Sequence, residues 1–230
     1  MTRRTQAMYV AVLTRLHERS AELYEIDLEP RIITTDFEKG AINAFQEVFP
    51  HVTVSGCHFH LSQSVLRKVN ELGLKTTYEG DAEFALHIRM LMALAFVPTD
   101  DVPAAFDIVC NSMPDTCKPV AEYFDSTYVR GSVGRRNRHR PPQFPPNIWN
   151  ASERFAATLP TTNNHVEAWH NRLQTLIVVD HPSFYSCLHK LRQEQRHTEV
   201  QVLRLQNGFR KKSRRRSVCE QHKRMTTLIG

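Results

Sequence analysis

An α/β core carrying a helical subdomain is the fold class this sequence predicts, and three observations carry it. Two short β-prone runs, Arg31-Ile32-Ile33-Thr34-Thr35 and Val52-Thr53-Val54-Ser55-Gly56, are each followed at once by apolar residues at helical spacing. A dense apolar stretch, including Phe84, Leu86, Ile88, Leu91, Leu94 and Phe96, then runs on with no strand-like alternation. Helical spacing resumes near Asn163 and again near Ser183. The order βαβα, then helices, fits an α/β sheet with a helical insertion.

The elements follow in order. Residues 5–25 read as an amphipathic helix with Tyr9, Val10, Leu13, Leu16 and Leu23 on its apolar face. Strand 31–35 ends at Asp36-Phe37-Glu38, and helix 39–49 is marked by Ala41, Ile42, Ala44, Phe45 and Val48. Strand 52–56 leads into Cys57-His58-Phe59-His60 and a helix to Leu72, striped by Leu61, Val65, Leu66 and Val69 and stopped by Gly73. Pro98 with Asp100-Asp101 starts a further helix, and Pro114 and Pro119 mark another turn. Residues 126–160 carry Gly131, Gly134, Pro141, Pro142, Pro145 and Pro146 and read as loop. Helices over about 163–178 and 183–206 complete the pattern, with Trp169 expected to face the core.

Charge is unevenly placed. Residues 208–230 hold eight basic residues against Glu220 alone, net +7, which leaves 1–207 at −1 of the chain's +6. Arg130, Arg135, Arg136, Arg138 and Arg140 form a second basic cluster with no acid among them. Two positive patches on a near-neutral body suit a polyanion, and nucleic acid is the commonest. The plainer reading is a solvated loop and tail. The run 209–216, with Arg210, Lys211, Lys212, Arg214, Arg215 and Arg216, also has the composition of a nuclear-localisation segment. No apolar run approaches the ~20 residues that span a bilayer. Five irregularly spaced Cys do not read as a disulfide framework and point to a reducing compartment.

Asp36 is the sharpest candidate. A strand that delivers a carboxylate to its C-terminal tip, with a helix next, is the layout of α/β active sites. Far downstream, Asn163-Asn164-His165-Val166-Glu167-Ala168-Trp169-His170 puts another carboxylate on a helix, with Glu167 and His170 on one face. Two acids around a long insertion suggest metal-dependent phosphoryl transfer. The bland alternatives are that Asp36 caps helix 39–49, that Glu38 is a solvated first-turn acid, and that Cys57 and His60 are a buried thiol and a hydrogen-bonded histidine. Cys57, His60 and His170 could instead be zinc ligands, although a structural site needs four.

Taken together, the fragments resemble the transposase domain of Mutator-like elements, a branch of the DDE transposases with a ribonuclease H-like core. The resemblance rests on Thr35-Asp36-Phe37-Glu38, on Cys57-His58-Phe59-His60-Leu61 with Gln63, on Leu94-Ala95-Phe96-Val97-Pro98, on Trp149-Asn150, and on Thr162-Asn163-Asn164-His165-Val166-Glu167-Ala168-Trp169-His170. It runs from about residue 8 to about 175. It implies that Asp36 matches the second catalytic Asp, Glu167 the catalytic Glu, and Cys57 with His60 the C-x-x-H pair typical of the group. It also implies DNA as partner, Mg²⁺ or Mn²⁺ as cofactor, and a homo-oligomer in the intact transposase; no membrane association and a nuclear site of action are expected from the lack of a spanning run and from the basic run 209–216. The two acids are expected to share metal ions and so to lie on the order of 4–8 Å apart.

No residue matches the family's first catalytic Asp, and the first three core strands have no counterpart. The expectation is an N-terminally incomplete domain that does not cleave DNA by itself. Its parts are a partial ribonuclease H-like core over 1–72, a helical insertion with a Pro/Arg-rich loop over 73–160, core helices bearing Glu167 over 161–207, and a basic tail over 208–230. The rival readings are a non-catalytic DNA-binding or regulatory protein derived from such a transposase, and a remnant that does not fold alone.

Overall fold

The computed structural model describes residues 5–134, 138–177 and 182–209, together with Glu220, Arg224 and Thr227. The chain divides into two compact units, Met1–Thr162 and Asn163–Leu228.

In the first unit, β1 (Ile32–Thr35) and β2 (Thr53–Gly56) pair in parallel, Ile32 opposite Thr53 and Thr35 opposite Gly56. Parallel strands need a crossover, and α2 (Lys39–Val48) supplies it while burying Ala41, Ile42 and Ala44. This register sets both strands' C-terminal ends side by side, so Asp36 and Cys57 leave the sheet at the same edge. Preceding them is α1 (Gln6–Tyr24), capped by the Thr5 hydroxyl, which accepts from the Met8 amide at 3.4 Å. It packs on α2. The stripe expected to be buried on α1 is only partly covered: Tyr9, Val10 and Leu13 are half-buried, whereas Leu16 and Leu23 are exposed. Helical periodicity records which residues share a face and not whether a neighbour covers its whole length.

After β2 comes α3 (His58–Glu71), whose Leu61, Val65 and Val69 recur every four residues and are buried. It ends where Gly73 turns left-handed at φ 73° and the Leu74 amide reaches back to Val69 O at 2.9 Å. The chain continues through α4 (Lys75–Gly80), α5 (Ala82–Ala93), α6 (Val102–Ser112) and α7 (Lys118–Phe124). Asp81 starts α5 by accepting the Glu83 and Phe84 amides at 2.9 and 3.1 Å. A π-helical turn, Asp125–Val129, extends α7.

Residues 126–160, expected to be loop, build part of the core. Tyr128, Phe144, Trp149 and Phe155 are all buried. The Trp149 indole N–H donates to Tyr128 O at 2.8 Å. Prolines and glycines mark the breaks here, but the aromatic side chains between them carry the large apolar area that drives packing. Short helices α8 (Pro146–Trp149) and α9 (Ser152–Ala156) hold them. A small antiparallel pair, β3 (Ser132–Val133) with β4 (His139–Arg140), stands apart from the β1–β2 sheet.

The second unit contains α10 (Asn164–Ile177) and α11 (Phe184–Gln206), which pack on each other. The Ser183 hydroxyl caps α11 through the Ser186 amide at 3.3 Å. Arg172 Nε lies 3.0 Å from the buried Glu194 carboxylate. Trp169, expected to face a core, is 39% exposed and borders an apolar groove with Leu191, Val202 and Leu203.

Candidate nucleic-acid and metal site

Asp36 sits at the tip of β1 with its side chain 54% exposed, its Oδ1 3.1 Å from His60 Nδ1 in the first turn of α3. It does not cap α2. The cap position is Glu38, whose side chain makes no capping bond. Nor is Glu38 simply solvated: the Tyr9 hydroxyl donates to its Oε1 at 2.9 Å. Between the two acids, Phe37 turns inward and meets Phe144 and Tyr128 edge-to-face at 5.0 and 5.9 Å. Its ring fills the space over Gly56, where a Cβ would come within 2.5 Å of Cζ. Only glycine at the end of β2 therefore admits this ring.

The edge is tied from beneath by Arg154, a residue sequence reasoning passed over. It is only 6% exposed. Its guanidinium donates to Thr34 Oγ1 on β1 at 3.3 Å, to Gly56 O on β2 at 3.2 Å, and to Asn150 O and Pro160 O at 3.3 Å each. Burial lowers its pKa, and the nearby Cys57 thiol pushes it back up. No local pattern announces such a residue, because its partners on the two strands lie 98 and 120 positions away. His58 is half-buried against the Phe96 ring and donates its Nε2–H to Met92 O at 3.3 Å.

Asp36, Glu38 and His60 border a polar cleft of about 500 Å³. α3 presents His60, Gln63, Ser64 and Arg67 to it, the i, i+3, i+4, i+7 set of one helical face. On its far wall the Tyr128 hydroxyl donates to Ser64 Oγ at 2.9 Å, and Ser64 Oγ and the Tyr123 hydroxyl are also 2.9 Å apart.

The fit to a divalent cation can be read from donor chemistry. Asp36 is a hard oxygen donor on a wet cleft, and Mg²⁺ keeps several waters beside one or two carboxylates. Asp36 thus fits as one ligand. Among the described residues no group of three or more His, Cys, Asp or Glu side chains is placed to hold a metal ion. The candidate zinc residues belong to two units, Cys57 and His60 to the first and His170 to the second. Cys57 is fully buried at the start of α3, His60 faces Asp36, and His170, in the second unit, is exposed beside the Trp169 ring at 5.3 Å. Glu167 is half-buried in the first turn of α10.

Of the basic candidates, Arg138 and Arg140 are exposed on and beside β4. Arg130, counted with them in the sequence, is neutralised: its guanidinium lies 2.6 Å from Asp107 and 3.7 Å from Asp125, over the Phe106 ring. Arg135, Arg136, Arg210, Lys211, Lys212, Arg214, Arg215 and Arg216 lie outside the described residues.

The family model described as the MULE transposase domain matches residues 1–64, the span that contains β1, Asp36, β2 and the start of α3. No curated protein and no solved structure matches the chain.

Proposed function

We propose, from the match of residues 1–64 to the MULE transposase domain model, that the chain works on DNA as a transposase domain of the DDE type, built on a ribonuclease H-like core. The observation that carries this reading is Asp36: a half-exposed carboxylate at the C-terminal tip of a parallel strand, inside the matched span, opening on a polar cleft. Ligands of open α/β sheets bind outside that strand edge.

In this reading Asp36 and Glu167 are metal-binding acids, and Mg²⁺ or Mn²⁺ supplies charge stabilisation for in-line attack on a phosphodiester when bound. The chain's own contribution is positional. The His60 imidazole, 3.1 Å from Asp36 Oδ1, orients the carboxylate. Phe37 and Arg154 fix the backbone that presents it. Arg138 and Arg140, with Arg135, Arg136 and the basic run 210–216, supply sequence-independent attraction to phosphate, and that run doubles as a nuclear address.

The test is duplex-DNA binding by the full chain, followed by fluorescence anisotropy with EDTA or with millimolar Mn²⁺ at matched ionic strength. Mn²⁺ should tighten binding severalfold, and Asp36→Asn should remove that increment while keeping the EDTA affinity. Metal-indifferent DNA binding would favour the non-catalytic DNA-binding reading; no DNA binding at low salt would sink both.

A further inference from the structure

Arg67 is the least explained cation at the cleft. Other cations of the first unit are paired: Lys68 with Glu71 at 3.3 Å, Lys118 with Asp115 at 2.7 Å, Arg130 with Asp107 at 2.6 Å. Arg67 forms no ion pair with any described residue, yet it lines the same cleft as Asp36. It lies seven residues beyond His60, two helical turns or about 10 Å along α3. The cleft is therefore acidic by Asp36 and Glu38 and cationic by Arg67.

The hydroxyl cluster beside Arg67 holds one donor proton more than its own bonds use. Tyr128, Ser64 and Tyr123 bring three O–H protons and are joined by two hydrogen bonds. Tyr128 spends its proton on Ser64, so one proton remains, on Ser64 or Tyr123, whichever does not donate to the other. Both residues line the cleft, as does the Gln63 amide. Lys68 Nζ stands 5.3 Å from the Tyr123 ring centroid.

We propose that Arg67, with Gln63 and the Ser64–Tyr123 hydroxyl pair, forms a phosphate subsite that seats a DNA backbone phosphodiester beside Asp36. It rests on the reading that the chain acts on DNA and names where one strand lies. The guanidinium fork matches two phosphate oxygens, and the amide and the spare hydroxyl are neutral donors suited to the others. A volume of about 500 Å³ falls in the usual range for ligand sites.

The test uses the full chain with a labelled DNA duplex in EDTA between 50 and 200 mM NaCl. Arg67→Ala should flatten the slope of log K against log[salt] by about 0.9, the value for a single neutralised phosphate. Arg67→Lys should keep the wild-type slope at lower affinity. Gln63→Ala should weaken binding with the slope unchanged. Arg89→Ala, an exposed cation on α5 away from the cleft, should match wild type. An Arg67→Ala slope equal to that of a DNA-binding wild type overturns the subsite and leaves the DNA reading standing. An equal flattening in Arg89→Ala also overturns the subsite, as unspecific charge. A wild type that binds no DNA overturns both. Arg67 is exposed, so an unchanged thermal midpoint confirms that the variant is folded.

Discussion

His58 shows how one titrating side chain is placed by its surroundings. Burial pulls its imidazole below the ordinary 6.5; the Met92 carbonyl pushes back, and the Arg154 charge lowers it further. The folded state then binds fewer protons than the unfolded chain once the pH drops below about 6.5, so stability falls from there downward and is fully present above. The urea midpoint should accordingly decrease between pH 7.5 and 5.5, and His58→Gln should flatten that decrease. A midpoint equally pH-sensitive in the variant would assign the effect elsewhere. At this scale the sequence is legible where chemistry is local. Asp36 stands out because a β-prone run and a helical run meet at it. Arg130 misleads because a count of charges along the chain does not contain Asp107, 23 residues earlier, which the fold brings to its guanidinium.

Among elements, the parallel pair β1–β2 is short, four residues each, and two strands hold only with packing partners. Arg154 is one such partner. Replacing it by Met leaves Gly56 O, Asn150 O and Pro160 O without their donor, at about 1–3 kcal/mol for each acceptor that stays buried. Relief of guanidinium burial offsets part of this. Arg154→Met should therefore lose roughly 2–4 kcal/mol by urea unfolding, and Arg154→Lys should not restore it, because one ammonium cannot reach both strands. A loss under about 0.5 kcal/mol, the range of ordinary surface changes, would mean that the tie is dispensable. The strands and the helices flanking them can be read from periodicity to within a residue or two. The region 126–160 cannot, since Pro and Gly dominate its local signal while Tyr128 and Trp149 act through distant partners.

For the whole molecule, the basic run 209–216 should act through charge on any DNA alike. Deleting it should weaken duplex binding across all sequences and flatten the salt slope by about 0.9 for every phosphate the run neutralises. An unchanged slope, with unchanged nuclear import of a reporter fusion, would leave it a solvated tail. Charge distribution makes this segment visible in the sequence without any fold. What no part of the sequence discloses is how the two ends of the first unit depend on each other in time. Thr34 and Gly56 emerge from the ribosome about 100 residues before Arg154. At roughly 5–20 residues per second the strand tips wait on the order of 5–20 s for the side chain that ties them. The edge bearing Asp36 is therefore among the last parts of its unit to be finished, and an interrupted polypeptide that stops short of residue 154 would carry the acid without the tie that positions it.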